Sequence, residues 1–199
     1  APLSSPTDIT IQSTVSSSAM NPFMFVDLVR NRICVIDESD DKIYKSSDGG
    51  MSWSTVSVPT GVSFFEHDKI SPSYNSHTGK MAQLVKQSNG AYSFLIWDFS
   101  NDSYTFRGSM PQPPYGWFML SSFILWDDDT IYFSEYPDAP AIFAASSDNH
   151  VSVYSKKIQR VPPTGRSNFC TKMMRCGSYM YYTDGYHPVV YKYTLSLNE

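Results

Sequence analysis

The chain is poor in charge, poor in cysteine and almost without helical patterning, and each shortage removes a class of protein. Charged residues make up 17% of its 199 positions, below the ~25% usual for soluble domains. Fifteen basic against 19 acidic side chains leave a net charge of -4, and Lys and Arg stand singly except at Lys156, Lys157 and Arg160. No basic stripe is present to neutralise phosphates, so a nucleic-acid partner is not expected. Cys34, Cys170 and Cys176 are too few for a disulfide framework. They allow one bridge, either local between Cys170 and Cys176 or reaching Cys34, with buried free thiols as the alternative. His67, His77, His150 and His187 show no paired ligand spacing, and no Cys-x-x-Cys occurs, so no zinc site is expected. The longest apolar stretch, Trp117 to Trp126, is broken by Ser121 and Ser122, well short of the ~18 residues of a spanning helix, so no membrane insertion is expected. Residues 1–7 read as a flexible N-terminal end without the basic and apolar regions of a signal peptide.

What is abundant is β-forming sequence. Aromatic residues reach 15%, and short runs rich in Val, Ile, Tyr, Phe, Trp and Thr alternate with Asp, Asn, Gly, Ser and Pro, the pattern of an all-β fold. Four strands are expected in a row over Met24–Val29, Ile33–Asp37, Lys42–Ser46 and Ser52–Val56, joined by turns of three to five polar residues. Such a meander is one blade of a propeller. Its last three strands recur at Met81–Lys86, Ser93–Asp98 and Ser103–Arg107, and again at Thr130–Ser134, Ala141–Ala145 and Val151–Tyr154. Ser178–Thr183 and Val189–Thr194 begin a fourth copy. The third strands start at 42, 93, 141 and 189, a period of roughly 50 residues that marks internal repetition. The expectation is one all-β domain over 1–199: a small propeller of about four antiparallel four-stranded units. The N-terminal segment Asp8–Gln12 would pair the last unit and close the ring. A β-sandwich or β-barrel is the alternative.

Within the first unit, Ser46-Ser47-Asp48-Gly49-Gly50-Met51-Ser52-Trp53 has a degenerate copy, Ser146 to Val153, in which Ser146, Ser147, Asp148 and Ser152 keep register. In this stretch Asp48 is placed to accept turn N–H groups, Gly49 or Gly50 to supply positive φ, and Trp53 to cover the hairpin. The sequence resembles the Asp box, S-x-D-x-G-x-[ST]-W, of sialidases, sortilin-type receptors and other propellers. The resemblance implies a structural hairpin between the third and fourth strands of a blade, with Ser46, Asp48, Gly50, Trp53, Ser146 and Asp148 as its motif residues. A sialidase would also need an arginine triad, a Tyr-Glu nucleophile pair and an acid Asp. Only Glu38, Glu66, Glu135 and Glu199 are available, and the family's Arg-Ile-Pro signature has no more than an echo in Arg160-Val161-Pro162.

Aromatic residues gather in or near loops at Tyr115, Trp117 and Phe118, at Tyr132 and Tyr136, and at Tyr186 with His187. Tyr and Trp offer large, stiff, amphipathic area at low entropic cost, so these residues are the candidate contacts for a protein or glycan. No catalytic residue is singled out. No cofactor is expected, and calcium at the acidic turns Asp37–Asp41 or Asp127–Asp129 is the one alternative considered. The leading expectation is a non-enzymatic recognition or attachment module, extracellular or on a cell or virion surface, that binds a protein or glycan receptor. An Asp-box sialidase-like glycoside hydrolase is the enzyme alternative. A third reading is a structural segment of a larger propeller, whose open edge is paired by another chain or by a second copy.

Overall fold

The computed structural model describes residues 22–64, 71–110, 120–135, 142–147, 150–155, 172–183 and 190–194. They form sixteen strands: β1 (Phe23–Asp27), β2 (Arg32–Asp37), β3 (Lys42–Ser46), β4 (Ser54–Ser57), β5 (Val62–Phe64), β6 (Ser73–Asn75), β7 (Lys80–Gln87), β8 (Tyr92–Asp98), β9 (Ser103–Met110), β10 (Leu120–Leu125), β11 (Ile131–Glu135), β12 (Ile142–Ser147), β13 (His150–Ser155), β14 (Lys172–Cys176), β15 (Tyr179–Thr183) and β16 (Val190–Thr194). All pairings are antiparallel and, apart from β5 on β7, join chain neighbours, giving four meander-like sheets. Sheet I is β1-β2-β3-β4, sheet II is β5-β7-β8-β9 with β6 also on β7, sheet III is β10-β11-β12-β13, and sheet IV is β14-β15-β16. Third strands start at Lys42, Tyr92, Ile142 and Val190, so the period read from the sequence is the period of the sheets.

The first strand of sheet II departs from the simple repeat. β5 pairs with the Val85–Gln87 end of β7 and β6 with its Lys80–Ala82 end, so two three-residue strands share the edge that one strand occupies elsewhere. No first strand was expected for this unit, nor for the next two, where β10 and β14 take that place. The segment Asp8–Gln12 lies outside the described residues.

The sheets pack face on face in chain order, and strand alternation assigns each residue to one interface. Ile36 and Ile43 of sheet I meet Met81, Val85, Leu95 and Trp97 of sheet II. The opposite face of sheet II presents Leu84, Phe94 and Ile96 to Phe123, Ile131 and Phe133 of sheet III. The other face of sheet III sets Ile124, Trp126 and Tyr132 on Met173 and Met180 of sheet IV. A central sheet thus buries both faces, and its strands read as unbroken apolar runs such as Phe94–Trp97. Hydroxyls tie neighbouring sheets at their first strands. The Leu125 N–H donates to Ser73 Oγ at 2.9 Å, and one unit later the Met173 N–H donates to Ser122 Oγ at 2.9 Å. On the faces turned away from these interfaces, Met24 and Val26 of sheet I and Met174 and Val190 of sheet IV are exposed, while Tyr44 and Ser46 of sheet I are buried.

Candidate functional site

β10 lies between β6 and β14, and these three first strands line a pocket of about 370 Å³. Ser73 and Asn75 on β6, His77 after it, Ser122 on β10, and Met173 and Arg175 on β14 form its walls. The turn after β10 places Asp127 against β14, where it meets the lining residues Arg175 and Asn75. Arg175 Nη1 and Nη2 donate to Asp127 Oδ1 and Oδ2 at 2.5 and 2.6 Å, a bidentate pair that fixes both planes. Asn75 Nδ2 donates to Asp127 Oδ1 at 2.8 Å. Arg175 Nη2 also lies 3.2 Å from His77 Nδ1, and its guanidinium stacks 4.1 Å from the Trp126 ring centroid. Arg175 and then Asn75 hold the Asp127 carboxyl well below the usual carboxylate range, against the opposing effect of burial. The side chains of Asp127 and His77 remain 42% and 59% exposed.

Asn75 is positioned by its own turn, accepting at Oδ1 from the N–H of His77 and of Thr78. That turn closes at Gly79, with φ of 67°. A Cβ at Gly79 would collide with the Arg30 guanidinium, whose Nη1 donates to the Gly79 carbonyl at 3.1 Å. Arg30 belongs to a second cluster built on Asp27, which is fully buried at the end of β1. Tyr74 Oη donates to Asp27 Oδ1 at 2.6 Å and Arg32 Nη2 to Oδ2 at 3.1 Å. Burial alone would raise the Asp27 pKa, yet Tyr74, Arg32 and Arg30 together hold its carboxyl below the ordinary range. Asp129 is engaged by Lys80 at 2.8 Å and Arg107 at 4.0 Å. Two carboxylates of the acidic turn Asp127–Asp129 are therefore neutralised by basic side chains. Among the described residues no group of three or more His, Cys, Asp and Glu is gathered as a metal site would need.

The hairpin between β3 and β4 contains the motif stretch. Ser46 Oγ and Ser52 Oγ donate to Asp48 Oδ1 and Oδ2 at 2.7 and 2.6 Å, and the Met51 and Ser52 N–H groups donate to Oδ1. Ser52, then Ser46, draws the Asp48 carboxyl well below its usual range. Gly50 has φ of 94°, and Trp53 Nε1 donates to its carbonyl at 3.1 Å. The degenerate copy falls on the matching hairpin of sheet III, between β12 and β13. Ser146 is exposed there, and Asp148 lies outside the described residues.

Of the aromatic contacts expected from the sequence, Tyr132 is 8% exposed and packs edge-on against Trp126. It belongs to the interface of sheets III and IV and is not a surface contact, because alternation along β11 turns it inward. Tyr115, Trp117, Phe118, Tyr136, Tyr186 and His187 lie outside the described residues, as does Cys170. Cys34 is buried and Cys176 exposed, both as free thiols. The pocket was not anticipated. Its residues are ordinary Ser, Asn, Asp and Arg separated by about one and two repeat periods, and their only signal is the period itself.

Four stacked antiparallel meanders of this kind make the protein an all-β β-propeller fold. The computed structure resembles an oligogalacturonate lyase solved in complex with manganese, at a TM-score of 0.57 and 11% identity, over 86% of this chain and 49% of that one. Lower-scoring similarity is found to YCF48 from Cyanidioschyzon merolae, at 0.46 and 11% over 88% and 53% of the two chains. A catalytically inactive virginiamycin B lyase from Staphylococcus aureus with quinupristin scores 0.38 at 10% identity, over 88% and 70%. The chain spans about half the length of the first two. No protein-family model and no curated protein sequence matches it.

Proposed function

We propose that the chain is a non-enzymatic extracellular recognition module that holds a protein or glycan receptor at the pocket between β6, β10 and β14. The state of the pocket's charged groups carries this reading. Asp127 is bound by Arg175 and Asn75, so it stays ionised far below neutral pH and is a poor proton donor or acceptor there. Arg175 is itself locked by that carboxylate and by Trp126. The remaining wall offers serine hydroxyls, the Asn75 amide and the His77 imidazole, groups that suit hydrogen bonding to hydroxyl-rich or peptide ligands.

The test is a glycan array run beside a fluorogenic sialoside assay on one preparation. Retention of a glycan without turnover supports the module, and His77→Ala should then weaken binding by roughly tenfold, about 1.4 kcal/mol, with an unchanged melting temperature. Turnover of the sialoside would sink the reading. Retention of immobilised receptor protein but no glycan would assign the ligand to the protein class.

A further inference from the structure

The pocket between β6, β10 and β14 is walled by strand edges as well as by side chains. The Phe123 ring packs on Phe94 between sheets II and III, and the Met173 side chain lies between sheets III and IV. Both residues therefore meet the cavity through their main chain. In an antiparallel strand the N–H and C=O of every second residue point to the same side. The Trp126 N–H donates to the Thr130 carbonyl within the β10–β11 hairpin, and the Leu125 N–H turns the other way, to Ser73 Oγ. Phe123, two residues earlier in unbroken register, also turns its N–H and C=O away from β11. On β14 the Met173 N–H faces Ser122 Oγ, and Arg175 presents its main chain on that same side.

Some of these outward groups are capped and some are not. Leu125 is served at both, its N–H by Ser73 and its C=O by Asn75 Nδ2 at 3.4 Å. The outward N–H and C=O of Phe123 and of Arg175 have no partner among the described residues. Ile124, on the same face of β10 as Ser122, has no polar atom with which to cap Arg175. Phe123 is 4% exposed, and main-chain groups so nearly buried are costly to leave unpaired. The chemistry that matches an open strand edge is the main chain of another extended segment. A sugar would find no ring to stack on among the described lining residues: Phe123 is in the core, and Tyr74 packs on Phe25 and donates to Asp27. We propose, resting on the recognition reading above, that the ligand of this pocket is an extended peptide segment of a partner protein, its main chain hydrogen-bonded to Phe123 on the edge of β10 and to Arg175 on the edge of β14. A cavity of about 370 Å³ admits a few residues of such a segment and not a folded domain. His77 and Met174, both exposed lining residues, stand at its sides to meet the peptide's side chains.

The probe is a phage-displayed library of random linear peptides selected on the purified chain, with a selected peptide then synthesised and titrated. Its binding should slow amide exchange at Phe123 and Arg175 by about tenfold, read by NMR. Exchange at Leu125 and Met173 should not change, because each already donates to a serine hydroxyl. N-methylation of the peptide residues that face Phe123 or Arg175 should weaken affinity about tenfold, and N-methylation elsewhere by less than about twofold. Ser71→Trp fills the cavity from an exposed position and should abolish binding at an unchanged melting temperature; Ser76→Trp is the second variant if the first does not fold. A library that yields no peptide sensitive to these variants, beside a glycan retained at the pocket, overturns the peptide class and leaves the recognition module standing. A peptide that tolerates N-methylation at every residue, or that leaves both amides exchanging as before, overturns main-chain pairing. The absence of any ligand sensitive to the variants, peptide or glycan, overturns both readings.

Discussion

Two carboxylates stand at the turn ends of the first strands of sheets I and III, two units apart, and they have opposite surroundings. Asp27 is fully buried and receives Tyr74, Arg30 and Arg32. Asp127 is 42% exposed and receives Arg175 and Asn75, two residues that line a pocket. Both are held ionised by similar partners, so charge pairing alone does not separate a scaffold cluster from a site. Access to solvent does: the Asp27 cluster is spent on joining sheets I and II, while the Asp127 cluster leaves groups facing open space.

Removing each carboxylate should expose the difference. Asp27→Ala leaves guanidinium groups and a phenol without their acceptor in the interior and should cost about 3–5 kcal/mol in urea unfolding. Asp127→Ala should cost about 1 kcal/mol, because solvent screens a pair that is nearly half exposed. Equal costs would erase the distinction between the two clusters. Acid should act on both. Folded-state pKa values depressed below the unfolded ~3.9 give stability that is fully present above that value and lost as pH falls through the folded ones. The wild-type urea midpoint should therefore stay level from about pH 7 to 5 and drop below about pH 4. Part of that drop should be missing in Asp27→Ala and part in Asp127→Ala, because both carboxyls are held below the unfolded value.

Smaller effects extend the contrast to other parts of the molecule. Asp48→Ala removes the acceptor of the β3–β4 turn and should lower the melting temperature by several degrees while leaving any ligand affinity of the pocket unchanged. A loss of binding without a loss of stability would contradict a structural role for that turn. Thiol alkylation near pH 8, read by peptide mapping, should label exposed Cys176 and spare Cys34, whose pKa burial pushes up to about 11. Equal labelling would mean that the interface of sheets I and II opens readily.

Much of the architecture was legible because a buried strand and a polar turn have different compositions, and a regular alternation of the two survives without any tertiary knowledge. Lys42–Ser46 is the same strand in sequence and structure, and the strand pattern on either side of Asp48 put its hairpin between the third and fourth strands. The first strands of sheets II, III and IV escaped, β10 and β14 among them although they are six and five residues long. β5 and β6 are three residues each, below the length at which a period of two can be recognised. Tyr132 was misplaced for a related reason: a strand buried on both faces has no polar partner residues to show which way a ring turns.

The amino-acid sequence by itself determined the strand class, the repeat period and the turn chemistry, because those depend on residues close together along the chain. Tertiary structure alone decided that Asn75, Asp127 and Arg175 meet, and that Asp27 is buried while Asp127 is open. Contacts between residues one and two repeats apart depend on how far each sheet rotates against the next. That rotation is set by the packing of whole faces, and no local pattern encodes it.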